Sequence, residues 1–147
     1  MSDDFRYYLR VRYGECDAQK IVFNARYGDY VDLAATEFLR ALGVAGTETF
    51  DYKVVKLAIE WKASARYRDV LELSVRTSHV GNTSFTFEVS FRLAGEDDVI
   101  ARAELVGVAV DPHTLEKMPI PPALRDVMIR GAPGVRVDHA DYLPRLP

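Results

Sequence analysis

Apolar and polar residues alternate along three of the four long strand-like runs of this chain. The cleanest is Ser84 to Leu93, with Phe85, Phe87, Val89, Phe91 and Leu93 on one face and Thr86, Glu88, Ser90 and Arg92 on the other. A period of two is that of a strand with one buried face. Lys53 to Ala65 alternates through Val55, Leu57, Ile59 and Trp61, Val70 to Val80 through Leu71, Leu73 and Val75, and Val99 to Val110 is the fourth run. A shorter segment, Tyr8 to Tyr13, has the β-branched and aromatic content of a first strand. After it the rhythm changes. Tyr27, Tyr30, Val31, Ala34, Phe38 and Leu42 recur at the spacing of one helix face, with Arg26, Asp29, Thr36 and Arg40 opposite them. Asn24 is a favoured N-cap and Gly43 a favoured residue just past a helix end, so a helix is predicted from Asn24 to Leu42.

The connections follow from turn chemistry. Arg66 to Asp69, Gly81-Asn82-Thr83 and Gly95 to Asp98 read as turns, and Val44 to Asp51 as a loop. Met118-Pro119-Ile120-Pro121-Pro122 forbids regular structure, and a short helix is expected over Ala123 to Arg130. The tail from Gly131 to Pro147 has three prolines and little periodicity, and is expected to be loosely packed or to lie along a partner subunit. The order predicts an α+β domain spanning 1–147, in which a five-stranded antiparallel sheet buries one face against a single long helix. One helix cannot cover so wide a sheet, which argues for association with a second copy.

Composition narrows the function classes. At 147 residues with 48% hydrophobic content the chain suits one well-filled domain. A net charge of -3 argues against a nucleic-acid binder, which needs clustered Lys and Arg. No apolar run approaches the roughly 20 residues needed to span a bilayer, so no membrane partner is expected. Met1-Ser2-Asp3-Asp4 is acidic where a secretory signal would be basic and then apolar, and Cys16 is the lone cysteine; both point to a cytoplasmic protein. No Gly-x-Ser-x-Gly elbow, P-loop, Gly-x-Gly-x-x-Gly or His-Glu-x-x-His occurs.

The chemistry is expected between the first strand and the helix, where Asp17 sits in the gap. A helix start offers unpaired backbone N–H groups and the positive end of its dipole, which can stabilise a developing oxyanion. A carboxylate facing it can attack an acyl carbon or deprotonate water. Phe23, Tyr27, Tyr30 and Trp61 are pocket-lining candidates that suit aromatic or aliphatic groups, with a core role as the plainer reading for Tyr27, Tyr30 and Trp61. Arg66 and Arg68 are a solvated turn or a contact to phosphates. Glu15 reads as surface charge able to tune Asp17, and Cys16 as an inert thiol.

The segment Val11-Arg12-Tyr13-Gly14-Glu15-Cys16-Asp17-Ala18-Gln19-Lys20-Ile21-Val22-Phe23-Asn24-Ala25-Arg26-Tyr27 resembles the signature of the hot-dog-fold acyl-CoA thioesterases of the 4-hydroxybenzoyl-CoA thioesterase group. Trp61 to Asp69, Gly81 to Phe85, and Asp111 with Met118 to Pro121 extend the resemblance over most of the chain. It implies Asp17 as the catalytic carboxylate and the Asn24 backbone N–H as the donor that polarises the thioester carbonyl. It further implies an acyl-CoA substrate, homodimers or homotetramers with sites at subunit interfaces, and contacts from Thr83 and Ser84 to the pantetheine or nucleotide. No metal or cofactor is implied beyond the CoA of the substrate. Lys20 departs from the pattern, standing where the family usually has Gly; it must either accept a strained backbone or divert the loop. Two alternatives share the fold: a non-catalytic binder of acyl-CoA or another apolar ligand, and a dehydratase or isomerase.

Overall fold

The structure, a computed structural model, describes residues 3–44 and 50–145. Its elements in chain order are β1 (Phe5–Arg10), α1 (Arg26–Ala41), β2 (Asp51–Trp61), β3 (Val70–Val80), β4 (Ser84–Leu93), β5 (Val99–Val110), α2 (Pro122–Arg130) and β6 (Arg136–Asp138). They form one sheet in the order β2-β5-β4-β3-β1-β6. The five strands β1 to β5 pair antiparallel, as the alternation predicts.

The core lies between one face of this sheet and α1. Leu71, Leu73 and Val75 of β3 and Phe85, Phe87, Val89 and Phe91 of β4 are buried against Tyr27, Tyr30, Val31, Ala34, Ala35, Phe38 and Leu39 of the helix. Phe38 meets Phe5 and Phe87 with ring centroids 5.5 and 5.1 Å apart. β5 contributes small residues here. Phe85 lies directly across from Gly107 in the register, and its ring occupies the space a Cβ on Gly107 would need.

Several expectations are corrected. A sixth strand is present: β6 runs parallel to β1, through Arg6↔Arg136 to Tyr8↔Asp138. The tail is therefore not loose through residue 145. Tyr142 stacks on Tyr8 at 5.4 Å, the Tyr7 hydroxyl meets His139 Nδ1 at 2.9 Å, and Asp138 accepts the N–H groups of Ala140, Tyr142 and Leu143. Local turn bonding of an Asx type, not periodicity, holds this segment. The first strand ends at Arg10, before Tyr13, because Tyr13–Glu15 closes into a 3-10 turn. The loop expected over Val44 to Asp51 lies mostly outside the described residues, and β2 already begins at Asp51.

β2 is the sheet's open edge. Val54, Val55, Leu57 and Trp61 are 48, 61, 41 and 42% exposed, and the register slips between Val54 and Lys56. A bulge of this kind leaves one residue unpaired and changes which face the neighbours occupy. Alternation in the sequence thus marks a strand here without marking a buried face.

Candidate active site

Residues 12–23 fold back on themselves as a small hairpin. Cys16 pairs with Val22, the Asp17 N–H donates to the Ile21 carbonyl at 2.9 Å, and the Phe23 N–H donates to the Glu15 carbonyl at 3.0 Å. At the tip the Lys20 N–H donates to the Asp17 carbonyl at 2.9 Å, and Lys20 adopts φ 62°. This is the three-residue hairpin turn closed by a left-handed residue, a position that favours Gly. Lys20 thus accepts the left-handed backbone; the loop is not diverted.

The hairpin is laid against the β2–β3 connection. The Val22 N–H donates to the Ala65 carbonyl at 2.9 Å, Ile21 bridges Arg66, and the Tyr67 N–H donates to the Lys20 carbonyl at 3.0 Å. Arg68 is left-handed as well, at φ 73°, and its guanidinium lies 5.2 Å from the centre of the Tyr67 ring. The Arg66 N–H is bonded to the Asp69 carboxylate at 2.8 Å, whereas its guanidinium has no partner among the described residues.

Asp17 is exposed, and its carboxylate is oriented by its own turn. Oδ1 accepts the Gln19 N–H at 2.8 Å and the Ile21 N–H at 3.3 Å. Oδ2 makes no hydrogen bond among the described residues. One oxygen is anchored and the other is available.

The helix start differs in detail from the prediction. α1 begins at Arg26, its N-cap position is Ala25, and no side chain caps it, so Asn24 is not the cap. The first turn is instead closed by the main chain: the Phe23 carbonyl accepts the Arg26 N–H at 2.8 Å and the Asn24 carbonyl accepts the Tyr27 N–H at 3.2 Å. The N–H groups of Asn24 and Ala25 find no acceptor among the described residues. In a trans peptide the carbonyl and the following N–H point in opposite directions, so the Asn24 N–H is aimed away from the helix that its neighbouring carbonyl faces.

Glu15 overturns its surface reading. It is buried, and its Oε1 accepts the Arg12 N–H at 2.8 Å and the Tyr30 hydroxyl at 3.0 Å. Oε2 accepts from Arg12 Nε at 3.2 Å and Nη2 at 2.9 Å. Burial pushes this carboxyl up, but the Arg12 donors and the Tyr30 hydroxyl outweigh that and hold it below the ordinary carboxylate value. Burial, then Glu15, push the Tyr30 hydroxyl well up, so it stays protonated and donating. Only its place two residues before Asp17 hinted at a role, because a single Glu in a polar segment has no periodicity to betray burial.

The remaining predicted residues divide by position. Phe23 is 57% exposed beside the free amides. Tyr27 is buried, its hydroxyl accepting the Ala65 N–H at 3.1 Å and its ring 5.7 Å from Trp61, so it braces the site from the core. Cys16 is half-buried, with its thiol pushed up by burial. The structure does not bring Thr83 and Ser84 to the same place. They follow β3, whose first residue, Val70, pairs with Arg10 at the hairpin end, and an 11-residue strand extends roughly 33 Å. Within one chain they stand at the opposite end of the sheet.

Comparison with known proteins bears on this arrangement. An acyl-CoA thioester hydrolase, YbgC of Escherichia coli, is 29% identical over 82% of this chain and 92% of its own. A 1,4-dihydroxy-2-naphthoyl-CoA hydrolase of Synechococcus elongatus is 22% identical over 84% of this chain and 93% of its own. Among solved structures, BH1999 gentisyl-coenzyme A thioesterase superposes with a TM-score of 0.74 at 27% identity, covering 83% of this chain and 98% of that one. Together they place the α+β architecture among hot-dog thioesterases, with β6 as an addition to the expected five strands. Residues 11–128, which hold the hairpin, α1 and β2 to β5, match the thioesterase-like superfamily, and the chain belongs to it.

Proposed function

We propose that this thioesterase hydrolyses a small or aromatic acyl-CoA to the free acid and CoA, with Asp17 as nucleophile or general base and the Asn24 backbone N–H polarising the thioester carbonyl. One observation carries the reading: a carboxylate with an unengaged oxygen sits in the short hairpin that leads directly into a helix start whose first two amides have no acceptor among the described residues. Glu15 pairs with Phe23, so Asp17 and Asn24 are separated by about three strand steps, on the order of 10 Å between Cα atoms.

In the nucleophilic route Asp17 Oδ2 attacks the acyl carbon, the thioester oxygen takes up negative charge against the Asn24 N–H, and the C–S bond breaks to release CoA thiolate. Water then hydrolyses the mixed anhydride and returns the carboxylate. In the general-base route Oδ2 takes a proton from water as that water attacks. Thiolate leaves readily, so neither route needs a histidine acid, and His79, His113 and His139 are not used.

The substrate class is supported by relatives named for naphthoyl-CoA and gentisyl-CoA. The homodimer is supported by the exposed apolar edge of β2. Pairing β2 with the same strand of a second copy, antiparallel, would reverse the partner and carry its Thr83 and Ser84 to the end of the assembly that holds Asp17. Arg66, whose guanidinium has no partner among the described residues, and Arg68 stand at that end and would serve as phosphate contacts.

A screen of short, long and aromatic CoA esters tests the proposal. We expect hydrolysis of at least one class and a loss of about 10²-fold or more in kcat for Asp17→Asn with the fold retained. Binding without turnover is the rival reading. In its favour, Asp17 is exposed in the single chain and caps its own turn. Binding without hydrolysis across the panel would establish it.

A further inference from the structure

We infer that Glu15 is a positioning residue for the reaction: it fixes the peptide that presents the free amide and ties the hairpin to the helix, without touching substrate. The inference rests on the assignment of Asn24 as donor. Every polar group of Glu15 is engaged, and each partner lies on a different part of the site. Its N–H donates to the Arg12 carbonyl at 3.0 Å, which closes the 3-10 turn. Its own carbonyl accepts the Phe23 N–H at 3.0 Å, one residue before Asn24. Its carboxylate accepts the Arg12 N–H from below and the Tyr30 hydroxyl from the buried face of α1.

The geometry gives these bonds a common result. The Glu15 carbonyl holds the Phe23 N–H, in the Val22–Phe23 peptide, and the Arg26 N–H holds the Phe23 carbonyl, in the next peptide, so both peptides flanking the Phe23 Cα are pinned and the direction of the Asn24 N–H is set with them. On the other arm Glu15 is two residues from Asp17, so the same side chain sets where the carboxylate arm leaves the 3-10 turn. Tyr30 is the link to the helix. It is 1% exposed, lies one turn from Tyr27, and its hydroxyl bonds Glu15 and no other group among the described residues. A buried carboxylate held by four donors is a costly device unless all are present, and rigid placement is what such a network supplies. Misplacing a donor by about 1 Å can cost about 10²-fold in rate.

The test uses Glu15→Gln, Glu15→Ala and Tyr30→Phe in the full-length protein. Two readouts are followed: steady-state kinetics on the CoA ester the wild type turns over best, and hydrogen exchange of the Phe23 amide. We expect kcat per folded molecule to fall about tenfold for Glu15→Gln and further for Glu15→Ala, with KM within about threefold. Tyr30→Phe should fall less, and the Glu15→Gln/Tyr30→Phe double variant should lose less than the product of the two. The acid limb of kcat/KM should stay where it is, since a role through the charge on Asp17 would move it. The Phe23 amide should exchange faster in both Glu15 variants. Unchanged kcat per folded molecule, or a shifted acid limb with an unchanged plateau, overturns the inference. If the wild type hydrolyses no ester, the proposed function has failed; in that case an unaltered Phe23 amide in Glu15→Ala overturns the inference also, and a faster one supports the clamp.

Discussion

At the scale of single residues the site separates what a side chain does from what the main chain does. The role proposed for Asn24 uses its N–H, and its side chain makes no capping bond. Asn24→Ala should therefore leave kcat within about threefold, while Asn24→Pro, which removes the N–H, should lower it by about 10²-fold. Kinetics on the same CoA ester, with circular dichroism as the folding control, checks both. Glu15 carries a pH signature. Its folded carboxyl sits below the ordinary value of 4.5, so its stabilising contribution is complete above that value and is lost as pH falls through the lower folded one. Glu15→Gln should flatten the acid arm of stability against pH below about 4.5, measured by urea unfolding at a series of pH values. Asp17 was singled out by resemblance to a family signature, since a carboxylate between a strand and a helix is by itself an ordinary turn residue, and here it is exposed and bonded within its own turn. Glu15 was not legible, because burial of a lone carboxylate depends on Tyr30, fifteen residues away and brought near only by the fold.

At the scale of elements, the bounds of β3, β4 and β5 were read to the residue: β4 alternates strictly, while β3 buries Leu71, Glu72 and Leu73 in succession and β5 carries apolar residues on both faces, so there the flanking turn residues mark the ends. Both ends of the site hairpin were less legible. Main-chain hydrogen bonds close the 3-10 turn at Tyr13–Glu15 and the first turn of α1, and such bonds leave no trace in side-chain periodicity. β6 escaped for a related reason: three residues cannot display a period. Packing between elements has its own sensitive point where the Phe85 ring covers Gly107. Gly107→Ala should destabilise the fold by about 1–3 kcal/mol, with little change in kcat per folded molecule, because this contact lies toward the end of the sheet opposite the hairpin. Thermal unfolding and kinetics on the same preparation would separate the two effects.

At the scale of the whole molecule, the chain presents one long apolar strand edge and an incomplete distribution of its predicted substrate contacts. Asp17, Phe23, Trp61, Arg66 and Arg68 gather at one end of the sheet, and Thr83 and Ser84 stand at the other. The Val54→Lys/Val55→Lys double variant places charge on the exposed edge and should convert a dimer to a monomer by light scattering. Turnover should fall with it, and a dimer of unchanged stability would refute the edge as the contact. The sheet's other margin behaves differently. There β6 is three residues long and parallel, followed by a segment tied up in its own turns around Asp138. A ribbon with one open edge and one blunted edge can take a single neighbour by strand pairing, so any edge-to-edge growth would stop at two chains, and the margin that blocks further growth is the tail expected to be loosely packed or to lie along a partner subunit.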